Sequence, residues 1–279
     1  MDKVLRRHEN HNRPLVGPEP NVLGLVYFNL VRLGRHEEFV QAVPGFETVF
    51  VVMSGNCSIE VDGELFSDVG QRQDIWSGNA DSVYAPSGAR VRVVSNTDGT
   101  EIAVGGGKCE TRFKAFRVPP AEVEMVDVGS PETHSHRRIF HILGHNAAGR
   151  AGNLLVSELY GDGGCWAGYP PHKHDTENPP EETQFEELYH YRFRPENGFG
   201  ALLRFYEDGT SECYVTRCGD TFLIDKGLHP LVTSPGHEEY IFTILVGKHH
   251  RSLIQNFQEE YRHLISSIPG INAMRDSWK

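Results

Sequence analysis

The chain has 279 residues, which is enough for one large domain or two medium domains with hydrophobic cores of their own. Lys and Arg number 27 against 38 Asp and Glu, which gives a formal net charge of −11. Such a surface repels phosphate backbones, so we expect no nucleic-acid partner. No apolar run approaches the length needed to cross a bilayer, so we expect no membrane partner either.

The cysteines indicate the redox compartment. There are five of them, an odd number, and no two have the CxxC spacing. This pattern is typical of free thiols in a reducing compartment rather than of a disulfide framework. The first residues also lack the apolar segment of a secretory leader. We therefore predict a cytoplasmic location.

Short runs rich in Val, Ile, Tyr and Phe recur along most of the chain, separated by Gly, Asp, Asn and Pro. Many short strands at such spacing are typical of an all-β sandwich or barrel. Only the end differs, because over 251–268 the apolar residues follow helical spacing and Pro269-Gly270 would end a helix there. We predict an all-β protein with a C-terminal helix that packs on a sheet or on a second subunit.

Two parts of the chain resemble each other. The letters FETVF in the first half resemble FEELY in the second, and PSGARV resembles DKGLHP. Thr48 and Arg90 are 42 residues apart, as are Glu187 and His229, and this equal spacing predicts a duplicated β-barrel. The predicted division is an N-terminal extension (1–21), a first barrel (22–118), a second barrel (119–250), and a C-terminal helix and tail (251–279).

The stretch PPHKHD is the strongest indication of chemistry. On a strand, His172 and His174 share a face. Glu187 opens the strand ELYHYRF, and His229 follows later after a glycine. If this face is the interior of a barrel, the four side chains can meet. Three imidazoles and one carboxylate suit a divalent ion such as Zn, Fe, Mn, Ni or Co.

This arrangement resembles the metal motif of the cupin superfamily, namely His-x-His, a later Glu at the head of a Tyr-rich strand, and a later His. The stretches PPHKHD, EELYHYRF and GLHPLV resemble the 5-deoxy-glucuronate isomerase family of myo-inositol catabolism, whose relatives are the 5-keto-4-deoxyuronate isomerases of pectin breakdown. In the first half, GFETVFVVMSGNCSIEVDG also fits, so the resemblance covers about residues 20–247. Two stretches depart from it, at 161–168 and after Gly247.

The resemblance implies a bicupin, which is a chain with two cupin barrels of the jelly-roll type. It also implies one divalent transition metal per chain, with zinc or manganese favoured, and four ligands: His172, His174, Glu187 and His229. Glu186 is the rival carboxylate, and Glu187 is preferred because it directly precedes the Leu-Tyr-His-Tyr strand.

The first barrel lacks these ligands, because Thr48 and Arg90 occupy the positions of Glu187 and His229. An arginine stays protonated and does not bind a metal. We expect a structural barrel without metal, and an anion site at Arg90 is the alternative.

The implied reaction is an aldose–ketose isomerisation of 5-deoxy-glucuronate to 2-deoxy-5-keto-gluconate. It needs a general base near the substrate carbons, and we suggest Tyr191 or Glu182. Arg204 is our prediction for the residue that binds the substrate carboxylate, because arginine suits bidentate carboxylate recognition. The expected partners are a small sugar acid and further copies of the chain in a homo-oligomer.

Two other functions fit the same motif. One is an Fe(II)-dependent dioxygenase of the cupin type, which uses similar ligands and would consume oxygen. The other is a non-catalytic sugar-acid-binding bicupin, which would bind metal and uronate without turnover.

Three further features suggest sites but favour plainer interpretations. His134 and His136 have the His-x-His spacing, but no Glu-led strand follows them, so we predict a loop. His249 and His250 are expected at the surface. Cys165 is expected to be a small buried thiol rather than a nucleophile.

Overall fold

The computed structural model describes residues 3–19 and 22–276. These residues form two compact units. One unit, here called the first barrel, consists of Glu9–Glu124 and Asn146–Leu154. The other, here called the second barrel, consists of the described residues before Glu9, Met125–His145, and the residues from Leu155 onward.

The strands in chain order are β1 (Val4–Leu5), β2 (Val26–Leu33), β3 (Glu38–Gln41), β4 (Phe46–Ser54), β5 (Cys57–Val61), β6 (Glu64–Val69), β7 (Asp81–Ala85), β8 (Val91–Ser95), β9 (Thr100–Lys108), β10 (Phe116–Val118), β11 (Glu124–Val128), β12 (Arg137–Leu143), β13 (Leu154–Gly161), β14 (Trp166–Ala167), β15 (His172–Lys173), β16 (Phe185–Arg194), β17 (Phe199–Phe205), β18 (Ser211–Arg217), β19 (Thr221–Ile224), β20 (Leu231–Thr233), β21 (Glu238–Gly247) and β22 (Asn256–Phe257). Short 3-10 helices span Pro120–Glu122, His145–Ala147 and Glu259–Ser266, and one α-helix, α1, spans Ile271–Asp276.

The first barrel consists of two sheets. A five-stranded sheet has the order β10-β7-β4-β9-β2, and a four-stranded sheet has the order β3-β8-β5-β6. Their shared core includes Phe50 and Val104 from the larger sheet and Ile59 and Val93 from the smaller one. β5 alternates between buried and half-buried residues, as a strand with one solvated face does, whereas nearly all of β4 is buried.

The second barrel has the same plan with more strands. A seven-stranded sheet has the order β1-β19-β16-β21-β13-β12-β11, and a four-stranded sheet has the order β14-β20-β17-β18. β15 and β22 form a separate pair. The core joins Tyr191, Phe222 and Ile241 of the large sheet to Leu202 and Leu231 of the small one. These strands confirm the prediction of an all-β fold.

Strand pairing shows the internal repeat. In the first barrel, Thr48 pairs with Ala85 of β7 and with Gly106 of β9. In the second barrel, Glu187 pairs with Ile224 of β19 and with Leu245 of β21. Each of the three positions in the second barrel follows its counterpart by the same number of residues. The strands of the two halves therefore pair in the same register.

β1 belongs to the second barrel. Val4 lies opposite Phe222 and Leu5 lies opposite Thr221 of β19. Just after the strand, Arg6 donates a hydrogen bond of 2.6 Å to the carboxylate of Asp220. A two-residue strand gives no periodic signal, so the sequence did not predict this pairing.

The C-terminal helix is shorter and lies later than predicted. The range 251–268 contains β22 and a 3-10 helix, and α1 begins only at Ile271. Two tertiary contacts override the helical spacing. β22 pairs with β15. Gly270 packs so closely against the backbone at Asp127 that a Cβ atom on it would lie 2.0 Å from the carbonyl oxygen of Asp127. Gly270, at a φ of +75°, therefore lets the chain pass close to β11 and precedes a helix rather than ending one.

The five cysteines are free thiols, as predicted. None of the helices in the described part of the chain is long and apolar enough to cross a membrane.

Candidate metal centre and its cavity

Three histidines of the second barrel form a buried cluster. One ring nitrogen of each of His172, His174 and His229 lies within 4.8 Å of those of the other two. Glu187 adjoins them, with its Oε2 atom 3.0 Å from Nε2 of His174 and 3.2 Å from Nε2 of His229. All four residues are buried. The structure thus brings together the four residues that the sequence suggested as ligands, whereas Glu186 lies on the opposite face of β16 by the alternation of the strand.

Strand pairing positions two of these side chains. β15 begins at His172, which lies opposite Phe257 of β22. Glu187 lies near the start of β16, between its partners Ile224 and Leu245 on the two neighbouring strands. Because a central strand is hydrogen-bonded on both sides, the position of the Glu187 carboxylate is fixed by the sheet rather than by a loop.

Asp175 connects the two loops that present histidines. Its Oδ2 atom accepts a hydrogen bond of 2.6 Å from the backbone N–H of Gly227, and its Oδ1 atom accepts one of 2.6 Å from Nζ of Lys173. Burial raises the pKa of Asp175, but Lys173 and Gly227 outweigh it and lower the pKa to about 2. Because Gly227 is two residues before His229, Asp175 helps to position His229, although it belongs to the loop that follows His174. No pattern in the sequence indicated a role for this residue.

The three imidazoles are oriented by backbone carbonyls. Each Nδ1 atom faces a carbonyl oxygen: His172 faces Pro170 (3.1 Å), His174 faces Phe185 (3.3 Å) and His229 faces Gly227 (2.9 Å). With Nδ1–H donating, the lone pair of each neutral ring is on Nε2, inside the cluster. Metal-ligating histidines are commonly oriented in this way.

The electrostatics of the cluster follow from burial. Burial, with the neighbouring His229 and His174, holds the pKa of His172 well below its usual value. Burial also lowers the pKa of His229. For Glu187 burial alone would raise the pKa, but His174 and His229 outweigh it and hold the pKa far below its usual range. For His174 burial alone would lower the pKa, but the Glu187 carboxylate outweighs it and raises the pKa. The cluster therefore combines one carboxylate anion with His172 and His229, whose neutral forms burial favours, and with His174, whose protonated form the carboxylate stabilises.

This donor set fits a divalent transition metal. Within residues 3–19 and 22–276, the buried Nε2 atom of His229 makes no hydrogen bond, although Oε2 of Glu187 lies 3.2 Å away. A buried polar atom without a partner is costly in an apolar interior, and a metal ion would satisfy it. The ligand types, three nitrogens and one oxygen, are those that Zn and Mn accept in proteins.

A cavity adjoins the cluster inside the second barrel. Its polar lining includes, among others, His172, Glu187, Tyr189, Arg137 and Gln255. Its apolar lining includes Leu245, Leu253 and Met274. A small ligand in this cavity would therefore contact the cluster and a guanidinium at once.

Comparison with known proteins agrees with these observations. A model of the KduI/IolB family matches residues 4–264. The chain belongs to the KduI/IolB family. The family match extends past Gly247, so the resemblance covers more of the C-terminal segment than the sequence motifs indicated.

Two relatives illustrate the family. A 5-deoxy-glucuronate isomerase of Geobacillus thermodenitrificans is 34% identical over 245 residues, which cover 86% of each chain. The crystal structure of an IolB-like protein from Salmonella typhimurium superposes with a TM-score of 0.80 at 28% identity, over 86% of this chain and 90% of that one.

Oxalate decarboxylase of Bacillus subtilis, which has Mn(II) centres, superposes with a TM-score of 0.56 at 13% identity, over 81% of this chain and 70% of that one. At this identity the likeness concerns the fold alone. Together with the two barrels, it confirms the predicted bicupin architecture.

Two residues suggested from the sequence lie outside the lining of this cavity. Tyr191 is fully buried in the core between the two sheets, and its hydroxyl has no hydrogen-bond partner among the described residues. Arg204 is also fully buried, with Nη2 3.2 Å from Oδ1 of Asp225. Its guanidinium lies 5.5 Å from the ring centre of Tyr206 and 5.7 Å from that of Phe222. Their predicted roles on the substrate stay predictions.

Glu182 is the third such residue and is held by several hydrogen bonds. Its Oε1 atom accepts from the backbone N–H groups of Asp175 (2.7 Å) and Thr176 (2.8 Å). Its Oε2 atom accepts from the side-chain amide of Asn256 at 3.0 Å. This carboxylate anchors the loop after His174 to β22, and its role as a base stays a prediction.

No pattern in the sequence indicated two of the cavity residues. Arg137, fully buried at the start of β12, directly follows the segment of His134 and His136, which the sequence predicts to be a loop. Gln255 belongs to the C-terminal segment, and its Nε2 atom lies 2.9 Å from Nε2 of His172. The alternation along β12 would have placed Arg137 on one face with Ile139, but no local pattern indicates which face is the interior.

The plainer interpretations agree with the structure. His136 lies 2.6 Å from a carboxylate oxygen of Asp162 and 2.9 Å from one of Asp127, away from the cluster. His249 and His250 are exposed. Cys165 is buried. In the first barrel, Arg90 is exposed, so its guanidinium does not occupy the interior position that His229 has in the second.

Proposed function

We propose that this protein is a metal-dependent 5-deoxy-glucuronate isomerase, which converts that sugar acid into 2-deoxy-5-keto-gluconate. The observation that supports this most strongly is the 34% identity, over 86% of both chains, with the Geobacillus thermodenitrificans protein of that name. The buried His–Glu cluster beside a cavity with polar lining supports the same function.

The proposed metal ligands are His172, His174, Glu187 and His229, with one divalent ion per chain and zinc or manganese preferred. When bound, such an ion supplies Lewis acidity, which stabilises negative charge developing on substrate oxygens. The second barrel is thus the proposed catalytic barrel, and the first barrel, with Thr48 in place of the glutamate, is proposed to be structural.

The residues of the chain have three tasks in this proposal. The backbone carbonyls hold each imidazole in the tautomer that presents Nε2. The apolar walls at Leu245, Leu253 and Met274 exclude water, which strengthens electrostatic contacts inside the cavity. A general base must move the proton between adjacent carbons, and Tyr191 and Glu182 are the candidates from the sequence.

The test is to incubate the metal-loaded protein with 5-deoxy-glucuronate and follow the reaction by NMR. We expect the aldose signals to be replaced by those of the ketose, without oxygen uptake. Glu187→Gln should abolish turnover, and Glu186→Gln, which changes the neighbouring carboxylate, should retain it. Oxygen consumption would instead indicate a dioxygenase, and binding without turnover would indicate a sugar-acid-binding protein.

A further inference from the structure

Arg137 is a buried cation of the second barrel. Only 1% of its surface is exposed. Its Nη1 atom donates to the carbonyl oxygen of Ser135 and its Nη2 atom donates to that of Tyr169, each at 2.9 Å. Among residues 3–19 and 22–276, no carboxylate lies within ion-pairing distance of this guanidinium. A buried charge that is hydrogen-bonded but unpaired is expensive, so the site favours an anion.

The guanidinium of Arg137 has free N–H donors with which it can bind an anion. It has five N–H donors, and the two carbonyls account for only two of them. Those two bonds hold the plane of the group, which lowers the cost of ordering it when a ligand binds. Burial lowers the pKa of Arg137 to about 10, so the side chain is still charged at neutral pH.

The location of Arg137 suggests which anion would bind. It lines the same cavity as His172 and Glu187 of the cluster. A sugar acid has a carbonyl at one end and a carboxylate at the other. The cavity has a volume of about 50 Å³, so a sugar acid with its carbonyl end at the cluster and its carboxylate at Arg137 requires the cavity walls to move apart when it binds.

Arg204 differs from Arg137 in its counter-ion and its place. It is buried as well, and its Nε and Nη1 atoms make no hydrogen bond within the described residues, but Asp225 supplies a carboxylate 3.2 Å from its Nη2 atom. Its charge therefore has a counter-ion within the protein, and it does not line the cavity.

We propose that Arg137 binds the carboxylate of the substrate and thereby selects uronic acids over neutral aldoses. This proposal rests on the proposed function, because it assumes that a sugar acid occupies the cavity beside the metal centre.

The test compares Arg137→Met and Arg137→Lys with the wild-type holoenzyme on two substrates. One substrate is 5-deoxy-glucuronate, and the other is the same aldose with a hydroxymethyl group in place of the carboxylate. Loss of a charge-assisted bidentate contact should raise KM for the uronate about 10- to 100-fold in Arg137→Met, and KM for the neutral aldose should change by less than about threefold. Arg137→Lys keeps the charge but not the bidentate geometry, so its KM for the uronate should lie between those of the wild type and Arg137→Met.

Arg138→Met is the matched control, because Arg138 is the next residue on β12 and lies on its opposite face near the ring of Tyr160. It should leave both KM values unchanged. Retention of the uronate preference in Arg137→Met would overturn the proposal, even when the wild type is an active isomerase.

Binding of the reduced, unreactive sugar acid, measured by calorimetry, separates this proposal from the proposed function. Weaker binding by the Arg137 variants supports the carboxylate site even if no isomerisation is found. If neither variant folds, a crystal structure of the wild type with the reduced sugar acid decides. A carboxylate hydrogen-bonded to Arg137 supports the proposal, and a carboxylate bound elsewhere overturns it.

Discussion

The cluster of three histidines and Glu187 owes its geometry to bonds made by the other ring nitrogens. Because each Nδ1–H is engaged by a backbone carbonyl, the Nε2 atoms face the cluster before any ligand arrives. Such preorganisation means that removal of one imidazole should affect metal binding more than folding.

The first prediction concerns these imidazoles. His172→Ala, His174→Ala and His229→Ala should each weaken metal binding by at least about 100-fold, because loss of a direct ligand costs more than loss of an outer hydrogen bond. Metal content after dialysis, measured by elemental analysis, checks this, with circular dichroism to confirm the fold. His249→Ala, an exposed histidine of the same barrel, is the control and should keep its metal. Full metal content in His229→Ala would contradict the ligand assignment.

The second prediction concerns Glu239, which is fully buried in the second barrel. Its Oε2 atom accepts a hydrogen bond of 2.7 Å from the hydroxyl of Thr233, and its Oε1 atom has no partner in the part of the chain that the structure describes. Burial raises the pKa of Glu239 to about 7. The folded state therefore binds this proton more tightly than the unfolded state, and stability should fall as pH rises from about 4.5 to about 7.

Glu239→Gln removes this titration. Relative to the wild type, its free energy of unfolding should gain about 3 kcal/mol between pH 4.5 and pH 8, since each unit of pKa shift is worth about 1.4 kcal/mol. Urea unfolding at the two pH values measures the gain. Glu238→Gln, at the half-exposed neighbouring position, should show no such difference. An equal effect of Glu239→Gln at both pH values would show that burial does not raise this pKa.

At the scale of elements, the C-terminal segment shows where the sequence is ambiguous. Its apolar spacing predicted one helix over 251–268, yet the segment forms a short strand and a 3-10 helix. Phe257 and Ile268 are buried, whereas Tyr261 is exposed. Apolar spacing therefore indicated part of what is buried, but not the backbone conformation. The pairing of β22 with β15 is a tertiary contact between segments about 80 residues apart, so no local window contains it.

The third prediction concerns the part of that segment that contacts the cluster. Gln255 donates a hydrogen bond of 2.9 Å to Nε2 of His172, the atom that a metal would use. Metal binding must break this bond, so Gln255→Ala should tighten metal binding by about 2- to 10-fold, the value of one net hydrogen bond. Competition with a chelating dye measures this. Gln258→Ala, in the same segment, is the control and should leave metal binding unchanged. Weaker metal binding in Gln255→Ala would instead indicate that Gln255 is itself a ligand.

At the scale of the whole molecule, the two barrels share a register but differ in chemistry. The sequence predicted the duplicated all-β fold well, because the strands alternate and the spacing between Glu187 and His229 repeats that between Thr48 and Arg90. It also predicted the four residues of the cluster. It did not predict Arg137 or the position of β1, because these depend on which face of a strand is inside and on pairing between distant segments. A cytoplasmic location and a homo-oligomer stay predictions.

The fourth prediction follows from the difference between the barrels. Thr48 supplies no carboxylate and Arg90 is exposed, so we expect about one transition metal per chain by elemental analysis. Removal of that metal by a chelator should abolish isomerisation and lower Tm, because a ligand that binds only the folded state stabilises it by about 2.7 kcal/mol at one hundred times its Kd. Two metals per chain, or full turnover of the metal-free protein, would contradict this.

The pairing of β1 with β19 has a consequence for biosynthesis. Val4 and Leu5 leave the ribosome long before their partners Phe222 and Thr221, and at about 5–20 residues per second the delay is roughly 10 to 40 s. The paired strands of the first barrel all lie within residues 26–118, whereas the partner of β1 lies in the final quarter of the chain. An N-terminal fusion partner that folds quickly and restrains residues 3–8 should therefore slow closure of the second barrel and leave the first barrel unaffected.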